Sequence, residues 1–409
     1  MKNYKELFSL GELYVSDFIS KESDARAGKH ELTMVMDERY GAVRLNKATP
    51  IHSMFGKYWY RSGINSTMKN ELKGIVESVT QVQELKDNDL WLDIACNDGT
   101  LLSFVPNNIK KLGIDPAEDS FKEESSKIAD DIVQDYFTFE NFQKSKFKDQ
   151  KAKVVTCIAM FYDLDDPIHF LNDVYKVLDD DGLFIIQMSY SPLMIKQLAF
   201  DNICHEHVYY WSLGPIQKLL SDANLKIMDC QLNDVNGGSF RLYIKKKDSD
   251  ISKFSTAPYR DVCKVRVESI LEWEKQLKIE NEEIWIDFYN QIEKLKNETV
   301  SFIKEEKAKG KVICGYGAST KGNTLLQYFG LDNTLIDAIA ERSHYKFGLK
   351  TIGTNIPILS EQEVRDMKPD YMLVLPWHFI NEFIKREENY LNSGGKFIVP
   401  CPYFQIISK

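Results

Sequence analysis

The run Asp89-Leu90-Trp91-Leu92-Asp93-Ile94 is apolar on both faces and ends in an acidic, glycine-bearing turn, Ala95-Cys96-Asn97-Asp98-Gly99. A strand buried on both sides belongs inside a sheet covered by helices. Helix-like Thr100-Leu101-Leu102-Ser103-Phe104 follows at once. Lys111-Leu112-Gly113-Ile114-Asp115 reads as a second strand that also ends in an acid, and Lys153 to Ile158 as a third. Pro167 to Leu178 reads as a helix stopped by Asp179-Asp180-Asp181-Gly182, with Gly182 opening a strand through Gln187. This alternation requires an α/β fold with a mainly parallel sheet.

At 409 residues the chain is too long for one ordinary domain. Residues 1–70 carry strand-like stretches at Glu31–Val35 and Gly41–Leu45, and form a small N-terminal domain. Residues 71–250 form the central domain, entered by a helix over Thr67–Val82 whose apolar residues Met68, Leu72, Ile75, Val76 and Val79 recur at helical spacing. Residues 251–409 comprise long charged helices over 260–308, with the charge on solvated faces, and then a second strand–glycine–helix unit from Lys311. Leu335–Ile339, Tyr371–Leu375 and Lys396–Val399 are its later strands, which makes a smaller C-terminal Rossmann-like α/β domain.

The net charge of −9 argues against a broad nucleic-acid footprint. No apolar run is long enough to span a membrane, and the N-terminus lacks a signal-peptide core, so the expectation is a cytoplasmic protein that engages neither nucleic acid nor membrane. The seven cysteines are scattered and odd in number, which points to buried small hydrophobes and not to a disulfide framework or a zinc site.

A nucleoside cofactor at such a sheet sits beyond the carboxyl ends of the strands. The Asp93–Gly99 loop is not the G-x-G-x-x-G that cradles a pyrophosphate. Its acids suit a cation, and S-adenosylmethionine carries a sulfonium and an ammonium group and no phosphate. Asp93, Ala95, Asn97 and Asp98 are therefore cofactor candidates. Asp115, with Pro116 behind it, is placed to take the ribose hydroxyls, and Asp135, Tyr136 and Phe137 to flank the adenine. These features together predict a class I Rossmann-like methyltransferase domain.

The chain resembles the three-domain sugar C-methyltransferases that act on nucleotide-linked keto-deoxysugars. The resemblance rests on Trp91–Leu101, Gly113-Ile114-Asp115-Pro116-Ala117, Phe200-Asp201-Asn202-Ile203-Cys204-His205-Glu206-His207-Val208-Tyr209-Tyr210-Trp211, Asn236–Arg241, Gly315–Thr324 and Pro376-Trp377-His378-Phe379. It covers nearly the whole chain. Two departures stand out. The family's N-terminal zinc cysteines are absent, with Met36–Gly41 where a C-x-x-C is expected, so no zinc is expected. Cys204 stands where the family often has tyrosine.

Methylating carbon needs a carbanion-like nucleophile, and a base near neutral pKa that forms an enolate beside a ketone is naturally a histidine. His205-Glu206-His207 offers two imidazoles and a carboxylate, and in extended chain His205 and His207 would share a face. The resemblance implies that His207 is the base. Glu206 is read as orienting an imidazole or binding a hydroxyl, and Tyr60 as bonding the enolate oxygen, with Tyr58 and Ser62 as alternatives. Tyr209, Asn236, Gly238, Ser239, Tyr316 and Lys321 are the remaining substrate candidates, Lys321 for its charge beside a phosphate. The competing readings are an O- or N-methyltransferase, an NAD-dependent oxidoreductase built on the Gly315–Gly322 loop, and a non-catalytic binding protein. Oligomeric state stays open between monomer and dimer.

Overall fold

The computed structural model describes residues 4–21, 28–50, 54, 60–64, 66–250, 254 and 259–409. Strands are numbered along the chain. The N-terminal part contributes β1 (Tyr4–Tyr14), β2 (Phe18–Ile19), β3 (Lys29–Asp37) and β4 (Val43–Leu45). The first of these lies outside the stretches that the sequence marks as strands. Its polar and apolar residues follow no clean alternation, and it is interrupted by register shifts against β3.

The central sheet holds β5 (Leu90–Ile94), β6 (Lys110–Ile114), β7 (Asp131–Val133), β8 (Ala152–Ile158) and β9 (Leu178–Ser189). The short β10 (Tyr209–Tyr210) leaves it to pair with β4, closing the N-terminal sheet in the order β1-β3-β4-β10. β11 (Leu225–Asn233) and β12 (Ser239–Lys246) return to the central sheet, whose order is β11-β12-β9-β8-β5-β6-β7. β12 runs antiparallel between β9 and β11, and the strands from β5 to β9 are parallel. The strand order reverses about β5, which lies between β6 and β8, so the carboxyl end of β5 faces a crevice.

Burial accounts for the helix Ser66–Val82, where Leu72, Ile75, Val76 and Val79 sit in one apolar cluster with Trp91, Leu101 and Leu102. The acids Asp179–Asp181 do not delay the next strand: β9 starts at Leu178 and carries them outward toward Lys153 and Lys246.

The C-terminal strands are β13 (Ile313–Tyr316), β14 (Ile339–Glu341), β15 (Lys350–Thr351), β16 (Ile358–Ser360), β17 (Tyr371–Val374), β18 (Lys396–Val399) and β19 (Gln405–Ile407). Their sheet runs β16-β14-β13-β17-β18-β19, parallel except for β19, which is the doubly wound order. The strand expected over Leu335–Ile339 begins only at Ile339, because Asp332 draws the chain at Thr334 and Leu335 into a turn. The pair β2–β15 joins the N-terminal segment to this part of the chain.

Two helices, Tyr259–Leu277 and Glu282–Ala308, bridge the sheets. The longer buries Trp285, Phe288, Ile292 and Ile303, and Phe8 of β1 stacks on its Tyr289 at 4.9 Å. The charge run on these helices is not wholly solvated. Glu274 is buried and accepts from the Tyr190 hydroxyl and from the amides of Leu213 and Gly214, capping the helix Leu213–Asp222. Among the described residues no helix is long and apolar enough to cross a membrane.

Candidate active site

The turn after β5 takes a conformation few sequences tolerate. Ala95, Asn97 and Gly99 have φ of 59°, 52° and 79°. Left-handed non-glycine residues concentrate where a loop must bend around something. Asp93, ending β5, is buried, and its carboxylate accepts from the Thr156 hydroxyl of neighbouring β8 at 2.6 Å. The indole of Trp91 donates to the same hydroxyl at 3.1 Å, so the oxygen accepts from the indole and its proton goes to Asp93. Burial pushes Asp93 up to about 7. Asp115, ending β6, accepts the amides of Asn97 at 2.7 Å and Ala117 at 2.8 Å, and burial raises it too. Two acids, both held above their ordinary range by desolvation, thus stand side by side at the carboxyl edge. A cationic ligand with vicinal hydroxyls fits that pair of acceptors. Pro116 lies directly behind Asp115, half-buried.

Asn97 and Asp98 are spent differently. The Asn97 side chain accepts the amide of Ser62 at 3.1 Å and donates to the carbonyl of Tyr60 at 3.1 Å. Asp98 accepts the amide of Gly63 at 2.7 Å and both donors of Thr100. Arg61 pairs with Glu124 at 2.6 Å, bonds Ser120 at 2.8 Å and lies 4.0 Å over the Phe121 ring. Residues 60–63 therefore form a strap from the N-terminal segment across the loop after β5. Tyr60 is 42 % exposed, yet desolvation, and then the Asp98 carboxylate, raise its phenol. Tyr58 lies outside the described residues. Of the adenine candidates, Asp135 pairs with Lys144 at 3.2 Å, Phe137 packs edge-on to Phe170 at 5.3 Å, and Tyr136 is half-buried.

The two histidines do not share a face. Residues 204–207 form a turn, with the amide of His207 bonding the carbonyl of Cys204 at 3.2 Å, and the two-residue period of a strand does not apply. His205 turns its Nε2 to the carbonyl of His30 in β3 at 3.0 Å. His207 turns its Nδ1 to the carbonyl of Asn202 at 2.8 Å. A carbonyl can only accept, so His205 carries its proton on Nε2 and His207 on Nδ1. Burial lowers them to about 4 and about 3, the Lys321 charge adding to the effect at His207. The His207 ring lies 4.1 Å from that of Tyr162, which sits in the short helix Phe161–Asp163 that follows β8.

Around Lys321 the fold gathers Asp163, which the sequence did not single out, with Asp201 and His378, which the sequence marked only as parts of motifs. Asp163 follows Tyr162, is buried, and is raised by burial and by Glu206. Asp201 accepts from the Trp377 indole at 3.2 Å and is likewise raised by burial. His378 is lowered to about 3 by burial and by Lys321. Lys321 itself donates to the Asn202 side chain at 2.6 Å. The position of Asp163 in the short helix that follows β8, the strand beside β5, is the signal that could have found it.

The other substrate candidates scatter. Tyr209 stacks on Trp211 at 4.6 Å, and its hydroxyl accepts from Arg44 at 2.9 Å. Tyr316 is fully buried, bonding Glu387 at 2.7 Å and Glu361 at 3.1 Å and accepting from Arg386. Ser239 is buried and donates to the carbonyl of Val235. Asn236 lies in the turn Val235–Gly237. Gly238 has φ of 107°, and a Cβ there would fall 2.5 Å from that of Leu193, so only glycine fits. Ser62 meets the site through its backbone amide. Glu341, the acid that ends β14, has its oxygens filled by the amides of Ala318, Arg342 and Ser343. Among the described residues no group of three or more His, Cys, Asp or Glu is arranged to hold a metal ion, and all seven cysteines are free and buried.

Comparison with known proteins adds two family matches. Residues 65–229 match the methyltransferase domain, and residues 234–402 the C-methyltransferase C-terminal domain. The chain is similar to the C-methyltransferase NovU of Streptomyces niveus, 27% identical over 409 residues, covering 99% of this chain and 95% of that protein. A tRNA U34 carboxymethyltransferase of Sulfurimonas denitrificans is 30% identical over 111 residues, covering 26% of this chain and 36% of that protein. Solved structures with a partial likeness include the plantazolicin methyltransferase BpumL in complex with SAH, at TM-score 0.35 and 12% identity over 43% of this chain and 82% of that one.

Proposed function

We propose that this chain, an S-adenosylmethionine-dependent methyltransferase of the C-methyltransferase family, methylates carbon beside the ketone of a nucleotide-linked keto-deoxysugar, with His207 as the base. The observation that carries the reading is the His207–Asn202 bond. It leaves Nε2 as an unprotonated lone pair, and burial keeps the ring neutral. The cofactor supplies an electrophilic methyl group. Asp93 and Asp115 hold it at the edge of the sheet.

The residues around the base divide the remaining work. His207 takes the proton from the carbon next to the ketone, and the resulting enolate is the carbon nucleophile. Tyr60, reaching over from the strap, donates to the enolate oxygen. Glu206, next to the base, binds a sugar hydroxyl. The turn at Asn236–Gly238 and the helix start at Lys321 take the nucleotide part. Alignment of enolate and methyl group supplies much of the rate.

The test is incubation in deuterated water with S-adenosylmethionine and a panel of nucleotide-linked keto-deoxysugars. The reading expects a new carbon–methyl group, and deuterium entering the position beside the ketone in the absence of cofactor. Methyl found on oxygen or nitrogen, with that position keeping its hydrogen, would replace it with the O- or N-methyltransferase reading. A parallel calorimetric titration with NAD tests the oxidoreductase reading.

A further inference from the structure

The turn that carries the Asn202 carbonyl is held from the C-terminal part of the chain at three consecutive residues. Phe200 stacks on Phe329 at 5.2 Å, Asp201 accepts from the Trp377 indole at 3.2 Å, and Asn202 accepts from Lys321 at 2.6 Å. Phe329 and Lys321 lie at opposite ends of one helix, Thr320–Phe329. An ammonium group only donates, so it fixes the oxygen of the Asn202 amide toward itself. The amide nitrogen then donates to the carbonyl of Ala199 at 3.0 Å, and the residue is locked in one orientation. Its backbone carbonyl receives His207 at 2.8 Å and the Tyr210 hydroxyl at 3.4 Å.

We propose that Lys321 is a positioning residue through which the C-terminal domain holds the His207 imidazole in its Nδ1-protonated form. The proposal rests on the reading of His207 as the base and assigns Lys321 a role through Asn202 that needs no contact with substrate. The contacts converge on one residue: the ammonium holds the Asn202 amide oxygen, the amide nitrogen is held by the Ala199 carbonyl, and the backbone carbonyl of Asn202 itself meets the imidazole. The charge also opposes a second proton on the ring. Lys321 shares this space with Asp163 from the short helix that follows β8, with Asp201, Cys204 and Glu206 from the turn, and with His378 beside Trp377. Among the described residues, Asn202 is the one whose hydrogen bonds reach both the lysine and the His207 ring.

The experiment is nitrogen-15 NMR of the histidine rings in the full-length protein, with His207→Asn to assign the signal among the seven histidines. The wild type is expected to show the Nδ1–H tautomer and to stay neutral as pH falls through 6.5, the ordinary value for the ring. In Lys321→Met the Nε2–H tautomer joins it and the titration midpoint moves up toward 6.5. Lys321→Gln keeps a donor to Asn202 without the charge, and is expected to keep the tautomer while the midpoint still rises. An unchanged tautomer and midpoint in both folded variants overturns the proposal. The readout uses no sugar, so its failure is distinct from failure of the methylation assay.

Discussion

The Thr156 hydroxyl donates to the Asp93 carboxylate across 2.6 Å, from one central strand to its neighbour. It is the sole side-chain hydrogen bond to Asp93 among the described residues, and the acid sits in desolvated surroundings that raise it from 3.8 to about 7. Because the folded value is raised, its contribution to stability is full below 3.8 and is lost as pH rises through 7. Asp93→Asn keeps an acceptor for Thr156 and cannot ionise. Above pH 7 the variant is expected to melt higher than wild type without cofactor and to bind S-adenosylhomocysteine more weakly; an unchanged melting temperature would count against burial as the cause.

His207→Asn removes the free ring nitrogen while leaving a side chain able to donate to the Asn202 carbonyl. Turnover is expected to fall by roughly 10²–10⁴-fold, the usual worth of a positioned general base. Calorimetric affinity for S-adenosylhomocysteine should not change. Near-normal turnover would remove His207 from the mechanism.

Arg61→Ala cuts the strap from its anchor on Glu124, Ser120 and Phe121. The Asn97 and Asp98 loop then loses part of its support. Affinity for S-adenosylhomocysteine is expected to drop by about 1 kcal/mol, roughly fivefold in Kd, chiefly through faster release. Stopped-flow displacement reads this directly. A release rate equal to wild type would show that the strap does not order the loop.

His205 and His207, together with His378, are expected to set the acid limit of stability. Their folded values, about 4 for His205 and about 3 for His207 and His378, lie below the ordinary 6.5. Their contribution is complete above 6.5 and is lost as pH falls toward those values, since the unfolded chain takes up protons first. Melting temperature should therefore decline below pH 6.5. His205→Gln, which can still donate to the His30 carbonyl but cannot charge, should flatten the decline. An equally steep decline in the variant would assign the acid limit to other groups.

Much of the central architecture was legible because its signals are local. A doubly apolar strand such as Leu90–Ile94 has only one kind of environment available, and an acid at its end marks the edge where the chain turns. The pairing of Asp93 and Asp115 as neighbours follows from two such strands in succession. β1 was not legible, since its apolar residues face a bridging helix nearly three hundred positions later and follow no simple alternation.

The amino-acid sequence alone determined the class of fold, the acidic loop and the block His205-Glu206-His207, each written in a few adjacent residues. Tertiary structure alone decided which way each group points. Asn97 and Asp98 hold the strap, because backbone amides from residues 62 and 63 arrive there. His205 and His207 bear their protons on different nitrogens because each meets a carbonyl with a different edge of the ring. Lys321 donates to the side chain of Asn202, 119 positions away. Orientation depends on partners that only folding brings within hydrogen-bonding distance, and no local pattern of residues encodes them.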